Sequence, residues 1–342
     1  MDAMLAAIFG CEGPGLSAEE GAFFRDVRPW GFILFARNCE TPAQVKRLVG
    51  ELREAAGFQA PVLIDQEGGR VARLKPPHWP VYPPARHYGD IWMRDHSKAE
   101  RAAYLGARLI AHDLLTLGIN VDCLPLADVP VPDGHDIIGD RAYGIEPEIV
   151  SRLGRKVALG LLDGGVLPVL KHIPGHGRAR ADSHVSLPVV ETSWEMLSAQ
   201  DFKPFKALND LPLGMTAHVL YTAIDTKLPA TLSPKVIEDV IRSEIGFEGL
   251  LMTDDLSMGA LGGALGGALQ ARARDSLNAG CDVVLHCNGK MAEMREVAAG
   301  ARELSGLALL RAQEALAKLA PEPSFDEAQA RAEWGALVRE VA

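Results

Sequence analysis

Titratable side chains are concentrated in one loop near the middle of the chain. Residues 171–184 (KHIPGHGRARADSH) follow a short apolar run, residues 166–170, that has the composition of a buried strand. Proline and glycine end the strand and give the loop unusual backbone freedom. A polar surface loop with a helix cap is the simpler interpretation, but three histidines and a lysine argue against it. A strand that leads from the core into such a loop is how a β/α barrel presents catalytic groups.

Two kinds of chemistry fit this loop. Asp182 and His184 are two residues apart, so the carboxylate could contact an imidazole nitrogen, orient the ring and raise its basicity. A histidine titrates near about 6.5, so a partnered ring can act as acid or base at neutral pH. His172 and His176, together with Asp182 and His184, could instead bind a metal ion. The spacing alone leaves both possibilities open.

Polar side chains also stand at the ends of other apolar runs. They are Asp65, Asp128, Arg141, Lys171, His172, His218, Asp254 and Asp255. In a barrel these strand ends converge on one mouth. Alternation along a strand points Asp254 and Asp255 to opposite sides, so one could be a nucleophile while the other holds a loop. The spacing fits equally well if Asp254 and Asp255 both cap the following helix. Polar side chains that converge in this way could hydrolyse an ester, an amide or a sugar bond.

Eight short apolar runs alternate with helical patterns along the chain. The runs are residues 5–9, 31–35, 61–65, 119–126, 166–170, 213–219, 249–254 and 281–286. Their apolar residues are nearly continuous rather than alternating, which is typical of parallel strands that are covered on both faces. The pattern therefore predicts an α/β protein with a single-domain (β/α)₈ TIM-type barrel. A doubly wound open sheet is the alternative, but no Gly-x-Gly-x-x-Gly follows a strand.

The domain organisation follows from where the alternation ends. We expect the catalytic barrel to occupy residues 1–320, and residues 321–342 to form a helical extension packed on it. Residues 259–269 repeat Gly-Ala-Leu every four residues. This repeat is too short for a solenoid and predicts a glycine-loosened loop followed by a helix start.

Composition narrows the class of protein. The chain has 342 residues and a net charge of −10, which argues against nucleic acid as a partner. Its five cysteines are scattered and form no Cys-x-x-Cys, so we expect a reduced compartment without a disulfide framework. No basic region precedes the apolar N-terminal residues, and no apolar run approaches a membrane span of about 20 residues. These features predict a cytoplasmic protein that contacts no membrane.

Four motifs carry a resemblance to a known family. They are KHIPGHG at 171–177 with DSH at 182–184, DQEGGR at 65–70, MTAHV at 215–219 and TDDLSM at 253–258. In this order they resemble glycoside hydrolase family 3, and within it the single-domain bacterial β-N-acetylglucosaminidases (β-hexosaminidases) of peptidoglycan recycling. With the flanking strands, the resemblance covers all but the C-terminal tail.

The resemblance implies a (β/α)₈ barrel and a retaining mechanism without metal or cofactor. By match to the motifs, Asp254 would be the nucleophile, His184 the acid/base and Asp182 the partner that orients His184. A histidine in this role is supplied by the family, since retaining glycosidases generally use two carboxyl groups. The residues that would hold N-acetylglucosamine are Asp65, Arg73, Arg141, Lys171 and His172. His176 and His218 would be structural.

The substrate that the resemblance implies is GlcNAc linked to 1,6-anhydro-MurNAc, with or without a peptide, cleaved in cell-wall recycling. Barrels with an intact rim are often monomers, so we expect a monomer. Three alternatives remain. A phosphorylase could use the same site, since a histidine acid/base does not repel phosphate as a carboxylate would. A metal-dependent barrel hydrolase could use His172, His176 and His184. A sugar-binding protein would bind N-acetylglucosamine without turnover.

Overall fold

Eight parallel strands close into a barrel in the computed structural model, which describes residues 3–262, 267–319 and 324–339. In chain order the strands are β1 (Leu5–Phe9), β2 (Pro29–Leu34), β3 (Val62–Ile64), β4 (Val121–Asp122), β5 (Leu167–Ile173), β6 (Leu213–Thr216), β7 (Leu250–Asp255) and β8 (Val283–His286). Each strand pairs with its neighbours in sequence, and β8 closes the ring on β1. The predicted (β/α)₈ barrel is confirmed, and each predicted run overlaps one of the eight strands.

Helices surround the barrel. They are α1 (Ala18–Val27), α2 (Pro42–Ala56), α3 (Ala85–Trp92), α4 (His96–Leu115), α5 (Pro147–Asp163), α6 (Phe202–Ala207), α7 (Leu269–Ala279), α8 (Met291–Gly300), α9 (Gly306–Ala317) and α10 (Glu327–Arg339). Short helical segments Trp194–Met196 and Leu197–Asp201 lead into α6, and a π-helical segment, Val236–Glu244, lies between β6 and β7. Single 3₁₀ turns occur at Ala36–Asn38, Gly139–Arg141, Ala230–Leu232 and Gly259–Leu261. Two small ribbons pair Gln66–Gly68 with Val71–Ala72 and Val189–Val190 with Leu220–Tyr221.

Local sequence explains where the first helices begin. Ser17 accepts a hydrogen bond from the backbone N–H of Glu20, whose carboxylate accepts one from the Ser17 N–H, so α1 starts at a complete capping box. Thr41 caps α2 in a similar way, and Pro42 occupies its first position, where a missing N–H is harmless. The capping residues therefore account for where α1 and α2 begin.

The strands are buried along nearly their whole length. The six residues of β2 and the seven of β5 are all buried, because helices cover the outside of the barrel and side chains fill its inside. Burial on both faces of the sheet explains why the apolar runs in the sequence are continuous rather than alternating. The polar exceptions sit near the carboxyl ends of strands, where Lys171 and Asp122 are enclosed in the barrel.

The last helix, α10, lies against α3 and α4. Arg331 contacts Asp113 at 2.6 Å, and the ring of Trp334 packs 5.4 Å from that of Tyr82. Residues 321–323 and 340–342 of the expected extension lie outside the described residues, as does residue 320, and the boundary at 320 stays a prediction. In the Gly-Ala-Leu repeat, 263–266 also lie outside the description. None of the helices described is long and apolar enough to cross a membrane.

Candidate active site

The carboxyl ends of the strands open into a cavity of about 320 Å³. The family resemblance gave eight catalytic and sugar-binding residues. Seven of them line this cavity: Asp65, Arg73, Arg141, Lys171, His172, His184 and Asp254. Asp182, the eighth, lies behind His184 and contacts its ring. Strands and loops that are far apart in the chain therefore bring the predicted groups to one place.

Alternating charges line the cavity near Lys171. The Lys171 ammonium, only 2% exposed, lies 2.9 Å from Asp65 and 2.6 Å from Glu67. Arg73 binds the other oxygen of Asp65 at 2.9 Å, and Arg141 binds both oxygens of Glu67 at 2.8 Å. The result is a continuous chain in which each carboxylate lies between two cations. The buried charges are therefore paired, as an apolar surrounding requires.

The pairing determines the ionisation of these carboxylates. Burial by itself would raise the pKa of Asp65, but Lys171 and Arg73 outweigh it and hold the pKa below its ordinary value. Burial would likewise raise the pKa of Glu67, but Lys171 and Arg141 outweigh it, so this pKa is also lowered. Both groups are ionised at neutral pH, and Asp65 is an acceptor with lone pairs left for ligand hydroxyls.

Glu67 was missed as a site residue in the sequence. It lies within a quoted motif, two residues after Asp65, so an extended chain points both side chains to the same side. That spacing was the available signal. The partners of Glu67 come from other parts of the chain, because Arg141 is 74 residues away.

Asp122 is a buried carboxyl group in β4, behind these charges. One oxygen accepts the backbone N–H of Gln66 at 3.0 Å, while the other oxygen has no hydrogen-bond partner. Burial raises the pKa of Asp122 to about 8, although the Gln66 N–H and Lys171 oppose the shift. The native protein therefore carries a neutral carboxylic acid here at neutral pH.

Replacing Asp122 with Asn is expected to stabilise the protein increasingly as pH rises. A raised native pKa means that the folded state keeps a proton that the unfolded chain releases above about pH 4. Wild-type stability is therefore lost progressively until the native group ionises near about pH 8, whereas Asn is neutral throughout. Thermal melting at several pH values should show a Tm gap, Asn minus Asp, that widens across this range.

The control for this prediction is Asp90→Asn, which changes an exposed carboxyl on α3. Its Tm difference from the wild type should stay nearly constant over the same pH range. A gap for Asp122→Asn that is flat, or that shrinks with rising pH, would contradict a neutral native Asp122.

Asp128 organises two histidines. Its carboxylate contacts Nδ1 of His172 at 2.7 Å and accepts the backbone N–H of His176 at 2.6 Å. Because Nδ1 of His172 is engaged, Nε2 is the nitrogen available to a ligand in the cavity. Nε2 of His176 contacts the Ser183 hydroxyl at 3.0 Å, and burial, aided by His172, lowers the His176 pKa to about 4.

His218 is likewise internal. Its Nδ1 lies 2.6 Å from the Thr231 hydroxyl and its Nε2 lies 3.0 Å from the backbone oxygen of Asp255. Burial is the main cause of its lowered pKa. The hydrogen bonds of His176 and His218 agree with the structural roles expected for them.

Asp182 and His184 form the expected pair. One oxygen of Asp182 accepts the His184 backbone N–H at 2.8 Å and lies 2.8 Å from Nδ1 of the ring. Slight burial would raise the Asp182 pKa, but the bonds from His184 lower it overall. The His184 side chain is 63% exposed, so its Nε2 side is accessible to water and ligand.

Asp254 and Asp255 have different surroundings, as strand alternation predicts. Burial would raise the Asp254 pKa, but His218 and His172 lower it, so Asp254 is ionised. Asp255 instead accepts the backbone N–H groups of Ser257, at 3.1 Å, and Cys287, at 3.2 Å. Asp254 thus lines the cavity as an ionised, partly exposed carboxylate, and Asp255 holds the turn after β7.

The geometry gives the metal alternative no support. In the part of the chain that the structure describes, no three His, Cys, Asp or Glu side chains are grouped to hold a metal ion. His172 and His176 each use one ring nitrogen in an internal contact. The cavity instead combines the ionised carboxylate of Asp254 with an exposed Asp–His pair.

Comparison with known proteins decides the family. Residues 18–321 match the model described as the N-terminal domain of glycosyl hydrolase family 3. The chain belongs to glycoside hydrolase family 3. This family 3 protein is thus a glycoside hydrolase, and its cavity lies where a TIM barrel carries its active site.

Relatives cover most of the chain. A β-hexosaminidase from Methylobacillus flagellatus is 39% identical to this family 3 enzyme over 280 residues, 81% of this chain and 78% of the relative. A β-hexosaminidase from Nitrosospira multiformis is 34% identical over 321 residues, 93% of this chain and 89% of the relative. The structure of NagZ from Neisseria gonorrhoeae with N-trifluoroacetyl-D-glucosamine has a TM-score of 0.87 at 30% identity and covers 98% of both chains.

Proposed function

We propose that this family 3 enzyme is a retaining exo-β-N-acetylglucosaminidase. The observation that carries the proposal is that Asp254, an ionised and partly exposed carboxylate, shares one cavity with His184, which is paired to Asp182. The β-hexosaminidase relatives, and the glucosamine derivative bound to the gonococcal neighbour, favour N-acetylglucosamine as the sugar.

In the first step the Asp254 carboxylate attacks the anomeric carbon. His184, protonated, gives its proton to the leaving oxygen as the glycosidic bond breaks, and a glycosyl ester of Asp254 forms. In the second step His184 takes a proton from water, the water oxygen attacks the anomeric carbon and the ester bond breaks. Two inversions leave the configuration retained, and the carboxylate and the protonated histidine are restored.

The Asp182–His184 pair suits this double role. Asp182 is ionised, so its charge favours the protonated ring before the first step. With the ring protonated, the pair carries no net charge, like a carboxylic acid. The exposure of His184 gives water access to Nε2 for the second step.

The charged residues deeper in the cavity would bind one sugar. Asp65 can accept two hydroxyl hydrogen bonds, while Arg73, Arg141 and Lys171 can donate to hydroxyls or to the acetamido oxygen. Nε2 of His172 adds a further contact. Because Lys171 and Glu67 are almost completely buried, little of the cavity is open at this end, which favours binding of a chain end and exo cleavage.

Glu67→Gln is expected to weaken substrate binding. The neutral amide keeps the shape of Glu67 but removes the charge that holds Arg141 and Lys171. Charge-assisted hydrogen bonds contribute about 1.5–3 kcal/mol, so we expect KM to rise about tenfold or more, with a smaller change in kcat. Steady-state kinetics would measure the split, and an unchanged KM would contradict this positioning role.

We further propose that the natural substrate is GlcNAc linked to 1,6-anhydro-MurNAc, with or without its peptide, processed in the cytoplasm by a monomer. The cavity is also lined by the partly exposed apolar side chains of Phe35, Val71 and Ile137, which can pack against a second, bridged sugar. A phosphorylase remains the second candidate, since the acid/base is an imidazole that does not repel phosphate.

The test is turnover of p-nitrophenyl β-N-acetylglucosaminide and of the GlcNAc–anhydro-MurNAc disaccharide, each with EDTA and with or without phosphate. Free N-acetylglucosamine as product under all conditions would support the hydrolase. Its 1-phosphate as the main product would establish the phosphorylase. Loss of activity with EDTA would restore the metal alternative, and binding without turnover would indicate a sugar-binding protein.

A further inference from the structure

We propose that Gly259 is a positioning residue for the acid/base: the turn formed by residues 258–260 is a seat on which the loop carrying Asp182 and His184 rests above Asp254. The inference depends on the acid/base role proposed for His184. The inference adds that this loop is held in place by the turn that follows β7, the strand that carries Asp254.

Two consecutive backbone donors make the contact. The N–H of Gly259 donates to the backbone oxygen of His184 at 3.0 Å, and the N–H of Ala260 donates to that of Ser183 at 3.0 Å. Both acceptors belong to the short segment that bears the catalytic pair. Two parallel hydrogen bonds fix the direction of that segment as well as its distance from the seat.

Space, rather than backbone conformation, requires glycine at this position. A Cβ added to Gly259 would lie 2.5 Å from the backbone oxygen of Val185 and 2.7 Å from that of His184. Real Cβ atoms do not approach oxygen so closely, and these neighbours are backbone atoms rather than flexible side-chain ends. Alanine at 259 therefore displaces either the seat or the loop.

The seat is the better anchored of the two. The carboxylate of Asp255 binds Ser257 and Cys287, and its backbone oxygen accepts the N–H of Met258 at 3.1 Å. From α7, Arg272 donates to the backbone oxygen of Leu256 at 2.7 Å. These bonds attach the turn to β7, to the residue that follows β8 and to α7, so a shift of the turn would break more hydrogen bonds than a shift of the loop.

The loop, by contrast, is a local turn. The backbone oxygen of Asp182 accepts the N–H groups of Val185 and Ser186 at 3.0 Å, and the side chain of Asp182 binds His184. Besides the seat, the Ser183 hydroxyl anchors it to His176. Displacing this turn moves the catalytic pair as a unit and changes the distance from His184 to the leaving oxygen.

The experiment compares Gly259→Ala with Gly267→Ala. The control lies in the same repeat, and a Cβ there would meet its nearest atom, Cβ of Ala271, at an ordinary 3.4 Å. The kcat/KM of each variant would be measured on the GlcNAc–anhydro-MurNAc disaccharide and on 2,4-dinitrophenyl β-N-acetylglucosaminide. This ratio reports the steps up to glycosyl-enzyme formation, and the second leaving group needs no proton.

We expect Gly259→Ala to lower kcat/KM for the disaccharide by about 10- to 100-fold, part of what a general acid contributes, and to change the dinitrophenyl value by less than about threefold. Gly267→Ala should match the wild type on both. General damage to the site would instead lower both values equally. Equal losses, or no loss on the disaccharide, would overturn the inference.

Two further variants separate the possible failures. If Gly259→Ala does not fold, Ala260→Pro removes the N–H that donates to Ser183 and places the proline ring against the same oxygen. It therefore also displaces the loop, and the same leaving-group dependence is expected. If His184→Ala itself shows no such dependence, the acid/base assignment fails and not merely the seat. If His184→Ala shows it while the two seat variants do not, the assignment stands and the seat is wrong.

Discussion

Asp254→Asn is expected to lower kcat/KM for p-nitrophenyl β-N-acetylglucosaminide by about 10⁴-fold or more, the scale on which removing a covalent nucleophile acts. The amide has no negative charge with which to form the glycosyl ester, and no other described carboxylate of the cavity is free to replace it. Asp65 is held between Lys171 and Arg73, while Asp255 is engaged by the turn after β7. Initial rates in the presence of EDTA would measure the loss.

Asp255→Asn is the matched control, because it removes the same charge from the adjacent residue. It should lower Tm through the turn that Asp255 holds, but should cost far less in kcat/KM than Asp254→Asn. A slow substrate that accumulates the intermediate should label a peptide containing Asp254 in the wild type. Equal losses in the two variants, or a label on another residue, would remove Asp254 from its proposed role.

His184→Ala is expected to produce a loss that depends on the leaving group. For the disaccharide, whose alkoxide is a poor leaving group, kcat/KM should fall by about 10²- to 10⁴-fold, the usual contribution of general acid catalysis. For the dinitrophenyl substrate it should fall by less than about tenfold, because that anion leaves without a proton. Comparing the two substrates at one pH measures the effect.

The second step provides the control for the same variant. With the dinitrophenyl substrate, His184→Ala should accumulate glycosyl-enzyme, because no base activates the attacking water. Azide is a nucleophile that needs no base, so adding it should raise kcat. Asp182→Asn should act in the same direction but less strongly, since it leaves the imidazole in place. If azide does not raise kcat and both substrates lose equally, His184 binds substrate rather than transferring protons.

Local features of the sequence were sufficient to predict most of the architecture. Each apolar run and each helix cap depends on residues within a few positions of one another, so the strands and the starts of α1 and α2 could be placed without tertiary information. The pair Asp182–His184 is local in the same sense. Strand β4 was the least complete prediction, because an apolar run of eight residues contributes only Val121–Asp122 to the sheet.

What the sequence by itself determined is therefore the barrel, the loop with its Asp–His pair and the family motifs, since each is written in neighbouring residues. Only the tertiary structure decided how the site is charged and held. Lys171 meets Asp65 across 106 residues of sequence. Asp122 is neutral because burial raises its pKa, and the N–H of Gly259 donates to His184 across more than seventy residues. Burial and long-range pairing set these properties, and neither is visible in residue spacing.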